Sequence, residues 1–276
     1  MVSLWQKCDR KSDVICRQRP RVVLINGLAA QAESWYRNVD CWRRHFELHT
    51  PALVDYESDA LHNRIDARLP VDVNFFVEEL HLYLRSFVQQ RPVHLLANSM
   101  GGKVAVEFAV RFPDLIASLV LLSPSGLSRE ERLPMIGGVK RSNVQSIVES
   151  VFYDPRHARQ EVMECYRRNY TSRRWRIGAM RIIRGTMGHS VRDLMPLVQQ
   201  PTLVIVGRED RIVDCNESIE AARNLPDGRI VILNHCGHAP QIEKAAAVNR
   251  LVAKFIRSQT RATSATDDCP ISALVQ

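Results

Sequence analysis

The segment PVHLLANSMGGKVAVEF, residues 92–108, constrains the fold more than any other part of the sequence. Its first half, Val93 to Ala97, is short and apolar and predicts a buried parallel strand. Its second half is rich in helix formers, and Val104, Phe108 and Phe112 recur at the spacing of one helical face. The chain must therefore turn from a strand into a helix within a few residues.

The turn between this strand and this helix is made of small residues with one serine at its apex. Ala97, Gly101 and Gly102 leave room for a sharp bend, because larger side chains would collide with the adjacent strand or helix. The hydroxyl of Ser99 would then project out of the sheet. The pattern predicts a nucleophile elbow of the G-x-S-x-G type, with alanine in place of the first glycine. An ordinary strand-to-helix turn that contains a serine is the alternative.

Further strand-like segments lie on both sides of the turn, and helix-like segments alternate with them. The strand-like segments are residues 21–26, 119–123, 202–207 and 229–233, with a weaker one within residues 46–54, and the other helix-like segments are residues 73–89 and 245–258. This alternation predicts an α/β fold with a mostly parallel sheet and helices on both of its faces.

The interval 128–195 interrupts the alternation. It contains no convincing strand and several helix-like segments, so we expect an inserted helical cap between two parts of the core, residues 1–127 and 196–258. A break after the strand at 119–123 is where a lid would lie over the C-terminal edge of the sheet. The small and polar residues 259–276 predict a mobile C-terminal tail.

Composition limits the classes of function. The 276 residues are 45% hydrophobic, which is enough for a full core, and no apolar run reaches the ~18 residues that span a bilayer. The seven cysteines are irregularly spaced without a CxxC pair, and the N-terminus has no apolar signal segment. These features favour reduced thiols and a cytoplasmic location. Without a phosphate-binding glycine loop or a Cys/His ligand spacing, we expect neither a cofactor nor a metal.

The net charge of +8 is concentrated in the insertion. Between Arg156 and Arg192 the sequence has ten arginines against only Glu161 and Glu164. Neither a zinc-finger spacing nor an aromatic-basic RNA motif accompanies them, so we do not expect a nucleic-acid partner. A solvated helical face is one explanation, and attraction of an anionic substrate or an acidic partner is the other.

Two later loops supply the residue types that a nucleophilic serine needs. A serine hydroxyl requires a base that removes its proton and a carboxylate that orients the base. Asp210 follows the strand at 202–207, and His238 follows the strand at 229–233. Both would lie at the sheet edge that carries Ser99, so the order Ser, Asp, His predicts a Ser-His-Asp relay.

These motifs together resemble the α/β-hydrolase family over residues 20–257. The resemblance implies the α/β-hydrolase fold with a helical cap, and it assigns Ser99 as the nucleophile, Asp210 as the acid and His238 as the base. It is carried by NGLAA at 26–30, ANSMGG at 97–102, GREDRIV at 207–213 and CGHAPQIEK at 236–244.

The resemblance also implies an oxyanion hole, in which two backbone N–H groups stabilise the negative charge that develops during acyl transfer. They would belong to Met100, which follows the nucleophile, and to Leu28, in the loop after the first strand. Asn26 stands where the family usually has histidine, and a plain turn residue is its alternative role.

Neighbouring residues compete with two of these assignments. Asp214 could replace Asp210 as the acid, but the family's G-x-x-D pattern falls on Asp210. The family's Gly-His pair falls on His238, so we expect His235 to be structural. Cys236 is expected to be a small packing residue.

The elbow indicates more than one substrate class. Its N-S-M-G-G sequence is similar to that of hydrolases that cleave C–C bonds in vinylogous 1,5-diketones, in which a cap Arg-Trp pair helps to hold a substrate carboxylate. Arg174 and Trp175 match that pair, which makes Arg174 a candidate substrate-binding residue. Against this, Ala239 stands where those hydrolases have tryptophan, and the loop after Asp55 lacks their glycines.

We therefore predict a serine hydrolase that cleaves a carboxylester or thioester of a small acyl substrate, with an anionic substrate as an option. C–C bond hydrolysis is the first alternative. A non-enzymatic, ligand-binding member of the same fold is the second, because fold does not determine function.

Overall fold

A computed structural model of the chain describes residues 19–28, 32–88, 92–130, 150–157, 164 and 171–267. Its strands form one sheet in the order β2-β1-β3-β4-β5-β6, and every neighbouring pair is parallel. This confirms the predicted α/β fold with a parallel sheet. The strands are β1 (Arg21–Ile25), β2 (Glu47–His49), β3 (Val93–Asn98), β4 (Ile116–Leu122), β5 (Thr202–Gly207) and β6 (Gly228–Leu233).

Helices connect the strands and cover both faces of the sheet. None of those in the described ranges combines the length and the apolar character that a membrane crossing requires. The α-helices are α1 (Val39–Trp42), α2 (Asp59–Asp66), α3 (Val73–Phe87), α4 (Met100–Arg111), α5 (Arg173–Thr186), α6 (Cys215–Ala222), α7 (Pro240–Glu243) and α8 (Ala245–Asp267); short 3-10 turns lie at Ala32–Trp35, Pro113–Leu115, Pro155–His157 and Arg192–Leu197.

The central strands are apolar on both faces because each face packs on helices. Alternate residues of β3 belong to different cores: Leu95 packs with α3 and α4, whereas Leu96 packs with α1 and α8. Every residue of β3 and β5 is buried, as expected for central strands of a parallel sheet covered on both sides. The sheet is therefore a rigid base for loops at its C-terminal edge.

The described part of the interval 128–195 contains no strand, and its longest helix, α5, packs on the chain that precedes α3. The ring of Trp175 lies 4.9 Å from that of Tyr56. A Cβ added to Gly178 would lie 2.2 Å from the carbonyl oxygen of Tyr56, so the helix backbone approaches this segment closely. The domain boundaries, and the role of this interval as a cap, stay predictions.

The last helix is longer than the sequence pattern predicted. The helix-like segment was expected to end at Ser258, but α8 continues to Asp267. The residues after Ser258 include neither glycine nor proline before Pro270, so no helix breaker stops the helix. Residues 259–267 are thus helical, residues 268–276 lie outside the described ranges, and the mobility of the C-terminal tail stays a prediction.

Candidate active site

Ser99 lies at the sharp turn between β3 and α4, and its backbone is strained. Its φ of 53° and ψ of −124° are costly for a residue with a Cβ, by about 1–3 kcal/mol. Three backbone hydrogen bonds hold it there: its N–H donates to Leu122 (3.1 Å), and its carbonyl accepts from Gly102 (2.8 Å) and Ser125 (3.0 Å). The serine is therefore fixed at the C-terminal edge of the sheet.

Two glycines let neighbouring chain segments approach this turn. A Cβ added to Gly101 would lie 2.7 Å from the carbonyl oxygen of Ile25, and one added to Gly27 would lie 2.7 Å from the Cβ of Ser99. Real Cβ atoms do not make contacts this short. The loop after β1 therefore lies directly against the serine.

Ser99, His238 and Asp210 form a continuous chain of hydrogen bonds. Ser99 Oγ lies 2.8 Å from His238 Nε2, and His238 Nδ1 lies 2.8 Å from Asp210 Oδ2. The Asp210 side chain is fully buried, and its Oδ1 accepts from the N–H groups of Ile212 (2.8 Å) and Val213 (3.1 Å). An ionised carboxylate only accepts hydrogen bonds, so the contact with Asp210 favours a proton on His238 Nδ1, and Nε2 is then the ring nitrogen that faces the serine.

The loop that carries His238 is tied to β3 and to the segment at residues 150–157. Asn98 Nδ2 donates to the carbonyl oxygens of Leu122 (2.9 Å) and His238 (3.3 Å), and Gln241 Nε2 donates to Asn98 Oδ1 (3.2 Å). The N–H of His238 donates to the carbonyl oxygen of Val151 in the insertion (2.8 Å). The histidine therefore has backbone restraints on two sides.

Leu28 and Met100, the predicted oxyanion donors, each follow a residue at or against this turn: Leu28 follows Gly27, and Met100 follows Ser99. The backbone of Gly27 lies against the serine. Met100 is the first residue of α4, and N–H groups at the start of a helix have no partner within the helix. The structure thus shows Met100 next to Ser99 in the chain and the residue before Leu28 against Ser99 in space, and the oxyanion hole stays a prediction.

Arg174, the predicted substrate-binding residue, is paired with the chain segment that precedes and begins α2. Its Nη2 lies 2.6 Å from Asp59 Oδ1, and its Nε donates to the carbonyl oxygen of Glu57 at 3.0 Å. The side chain is 44% exposed. The contact between Arg174 and a substrate stays a prediction.

The competing residues have other roles in the structure. Asp214 caps the N-terminus of α6 by accepting from the N–H of Glu217 at 3.0 Å. His235 is exposed, and its ring lies 5.5 Å from the ring of Tyr153. Cys236 is fully buried, and burial raises the pKa of its thiol, which keeps the sulfur protonated and consistent with a packing role.

Two residues near the serine were not identified from the sequence. Ser125 is buried with its Oγ 3.4 Å from Ser99 Oγ, and Glu243 is buried under the His238 loop. Only their positions in the sequence could have pointed to them. Ser125 follows β4 at the C-terminal edge of the sheet, and Glu243 belongs to the CGHAPQIEK motif.

Known proteins are similar to this chain in sequence or in structure. A hydrolase of 2-hydroxy-6-oxo-6-phenylhexa-2,4-dienoate from Comamonas testosteroni is 28% identical over 60% of this chain and 63% of its own length, which is less than two thirds. A monoacylglycerol lipase of Mus musculus is 20% identical over 87% of this chain and 76% of its own length. Among solved structures, a serine hydrolase from the bacterium Cycloclasticus zankles superposes with a TM-score of 0.76 and 20% identity, covering 88% of this chain and 91% of that one.

The sequence profile that matches this chain spans nearly all of the sheet and both loops of the site. It covers residues 22–251, from β1 into α8, and includes Ser99, Asp210 and His238. A match over most of the chain establishes membership, and the structural similarity agrees with it. The chain belongs to the Alpha/beta hydrolase family.

Proposed function

We propose that the chain is a serine hydrolase that cleaves a carboxylester or a thioester through an acyl-enzyme on Ser99. The observation that carries the proposal is the pair of 2.8 Å contacts that link Ser99, His238 and Asp210. A hydroxyl in this setting can give its proton to an imidazole whose developing charge is balanced by a buried carboxylate. The relatives are hydrolases, which supports the same broad reaction class.

The reaction follows from the atoms that face the serine. Ser99 Oγ attacks the carbonyl carbon of the ester while His238 Nε2 takes its proton, and the carbonyl oxygen becomes negative. The N–H groups of Leu28 and Met100 stabilise that charge. His238 then protonates the leaving alcohol or thiol, which departs and leaves the acyl group on Ser99. Water, deprotonated by His238, releases the carboxylic acid and restores the serine. These steps use only groups of the chain itself.

We expect the substrate to be a small molecule, with anionic substrates favoured over neutral ones. The α5 helix of the insertion carries a row of exposed arginines, and clustered charge of one sign attracts the opposite charge over a distance. The arginines of this row are Arg173, Arg174, Arg176, Arg181 and Arg184.

C–C bond hydrolysis is the second candidate. It is favoured by the relative from Comamonas testosteroni, whose name describes a dienoate hydrolase. Ester hydrolysis fits this chain better, because Ala239 rather than an aromatic residue follows His238 and Trp175 is buried against Tyr56 rather than free for a ligand.

The test is covalent labelling with a fluorophosphonate, which reacts only with an activated hydroxyl. We expect the wild type to be labelled at Ser99, as located by peptide mass spectrometry, and we expect no label in Ser99→Ala. An unlabelled wild type that is folded and binds small molecules would support a non-enzymatic, ligand-binding role instead.

A substrate panel distinguishes the two reactions. We would compare p-nitrophenyl esters, acyl-CoA thioesters and a 2-hydroxy-6-oxo-dienoate at equal enzyme concentration. The proposal expects the highest kcat/KM on an ester or thioester. A kcat/KM on the dienoate tenfold above every ester would assign the chain to C–C hydrolysis.

A further inference from the structure

Glu243 connects the insertion to the loop that carries His238. Its Oε1 accepts from the N–H of Gly237 at 2.7 Å, one residue before the histidine. Its Oε2 accepts from the N–H groups of Tyr153 (2.9 Å) and Asp154 (3.2 Å), which belong to the insertion. One carboxylate thus bridges two segments that are far apart in the chain, using both of its oxygens.

The histidine has a direct bond to the same part of the insertion. The N–H of His238 donates to the carbonyl oxygen of Val151 at 2.8 Å. The contact is also close in space, since a Cβ added to Gly237 would lie 2.7 Å from the nitrogen of Tyr153 and 2.8 Å from the Val151 oxygen. The junction therefore includes these four hydrogen bonds and leaves no room for a larger residue at Gly237 between the segments.

A carboxylate is a costly choice for a purely structural role at this position. Glu243 is 9% exposed, and burial raises the pKa of its carboxyl although three N–H groups favour the ionised form. The desolvation cost of burying a charge is offset only when the hydrogen-bond geometry is good and both carboxylate oxygens have partners. What the carboxylate provides that an apolar residue cannot is two acceptors at fixed positions, one for each segment.

We infer that Glu243 is a positioning residue that sets the distance of His238 from Ser99. Through Glu243, this distance depends on whether residues 151–154 of the insertion are bound to the His238 loop. The inference rests on the proposed function, because it assigns His238 as the base. When residues 151–154 are bound to the His238 loop, the 2.8 Å contact between His238 Nε2 and Ser99 Oγ is kept. When these residues move away, the loop loses its hydrogen bonds to them, and His238 moves away from the Ser99 hydroxyl.

The first variant is Glu243→Gln, which is isosteric but offers only one acceptor oxygen, so an N–H group of one segment faces an NH2 group. Asp72→Asn is the matched control, since Asp72 also accepts a backbone N–H (Phe75, 3.0 Å) but lies at the start of α3. We expect Glu243→Gln to be labelled by the fluorophosphonate 10–100-fold more slowly, the effect of a small displacement of a catalytic group. Asp72→Asn should be labelled at the wild-type rate.

The second variant, Gly237→Ala, separates the segments without removing the carboxylate. Its added Cβ must displace the backbone at residues 151–153. We expect the same slow labelling, together with faster hydrogen exchange at the amides of Tyr153 and Asp154. This variant keeps the inference testable even if Glu243→Gln does not fold.

A spectroscopic readout separates positioning from simple loss of stability. We expect a proton on His238 Nδ1 that is donated to Asp210, 2.8 Å away, to give a downfield NMR signal without any substrate. We expect it to broaden or disappear in both variants at temperatures where the fold is intact.

The outcomes distinguish this inference from the proposed function. Wild-type labelling rates and an unchanged downfield signal in folded Glu243→Gln and Gly237→Ala would overturn the inference and leave the hydrolase proposal intact. Failure of the wild type to be labelled, with the NMR signal lost in both variants, would refute the hydrolase while supporting the positioning of His238 by Glu243.

Discussion

Replacing Asp210 by asparagine tests the orientation of the base with almost no change in shape. In the native protein, Oδ1 accepts from the N–H groups of Ile212 and Val213, and Oδ2 accepts from His238 Nδ1. An asparagine has one oxygen and one NH2 group for these two sides. The backbone side offers two donors, so the amide oxygen must face it and the NH2 group must face the histidine.

The preference for that orientation can be estimated from the contacts. The opposite orientation would leave two buried N–H groups without an acceptor, at about 1–3 kcal/mol each. A gap of about 2–6 kcal/mol leaves only a small percentage of molecules, or fewer, with the amide reversed. Because His238 Nδ1 then faces an NH2 group, it must accept a hydrogen bond, and the ring proton moves to Nε2. A protonated Nε2 can no longer take the proton of Ser99. A base in the wrong tautomer costs about 10⁴ in kcat, equivalent to about 5 kcal/mol of activation free energy.

The assay is kcat on a p-nitrophenyl ester, with thermal unfolding as a check of the fold. Asp214→Asn is the control, because Asp214 only caps α6 and asparagine caps as well as aspartate. We expect Asp210→Asn to lose about 10⁴ in kcat with a nearly native Tm, and Asp214→Asn to keep wild-type kcat. An Asp210→Asn enzyme with more than a tenth of the wild-type kcat would refute the argument, most directly if Asp214→Asn were the inactive one.

Three further predictions follow from the same structure. Ser99→Ala and His238→Ala should each abolish most turnover, and the double variant should be barely worse, because the residues act as one unit; additive losses in kcat would contradict the relay. Gly27→Ala should lower kcat while leaving most of the stability, because its Cβ would press on Ser99; an unchanged kcat would exclude that loop from the site. Burial lowers the pKa of His94 to about 4, so the folded state resists its protonation and the free energy of unfolding should fall by up to ~3 kcal/mol as pH drops from 6.5 to 4. The check is a urea-denaturation series over this pH range; if the free energy of unfolding of His94→Asn fell as steeply with pH as that of the wild type, the effect could not be assigned to His94.

The sequence was most informative where a general rule of sheet topology or a motif of adjacent residues places a side chain. Parallel strands end at one edge of a sheet, so an acid after β5 and a histidine after β6 had to lie near the serine after β3. The elbow was recognisable because its small residues are adjacent in sequence. Family membership adds support that rests on the same motifs.

Element boundaries were less predictable because tertiary contacts decide them. The helix after the elbow begins at Met100, although two glycines follow and glycine is a poor helix former. Glycine is needed at both positions because only a hydrogen fits: an added Cβ would lie 2.7 Å from the Ile25 carbonyl oxygen at Gly101 and 2.7 Å from the Pro124 side chain at Gly102. Strand β4 begins at Ile116, earlier than the apolar run suggests, because Ser118 is buried with its hydroxyl 2.8 Å from His94 Nδ1.

Long-range partners of individual side chains could not be derived from the sequence at all. Glu243 and Tyr153 are 90 positions apart, and Arg174 and Asp59 are 115 apart. No local pattern encodes either pair. The pairing of Arg174 with Asp59 also changes how its predicted role should be tested, since a substrate anion must compete with a carboxylate that is already present.

A substrate carboxylate that binds Arg174 must displace the Asp59 carboxylate, and this displacement costs little free energy. The Asp59 side chain is 91% exposed, and an exposed ion pair contributes only about 0.2–1 kcal/mol, so a substrate carboxylate can replace it at little cost. Asp59→Asn should then raise kcat/KM for an anionic ester, and Arg174→Gln should lower it.

Salt separates this direct contact from attraction by the whole arginine row. Long-range attraction fades as the Debye length falls from ~10 Å at 0.1 M salt to ~3 Å at 1 M, whereas a two-pronged hydrogen bond to an oxyanion is screened less. The measurement is the ratio of kcat/KM for matched anionic and neutral esters at both salt concentrations. We expect the wild-type ratio to fall with salt but to remain above one at 1 M, and Arg174→Gln to remove that remainder. A ratio of one for the wild type at both concentrations would show that the arginines do no more than keep the helix face solvated. A remainder that survives in Arg174→Gln would assign the direct contact to a different residue.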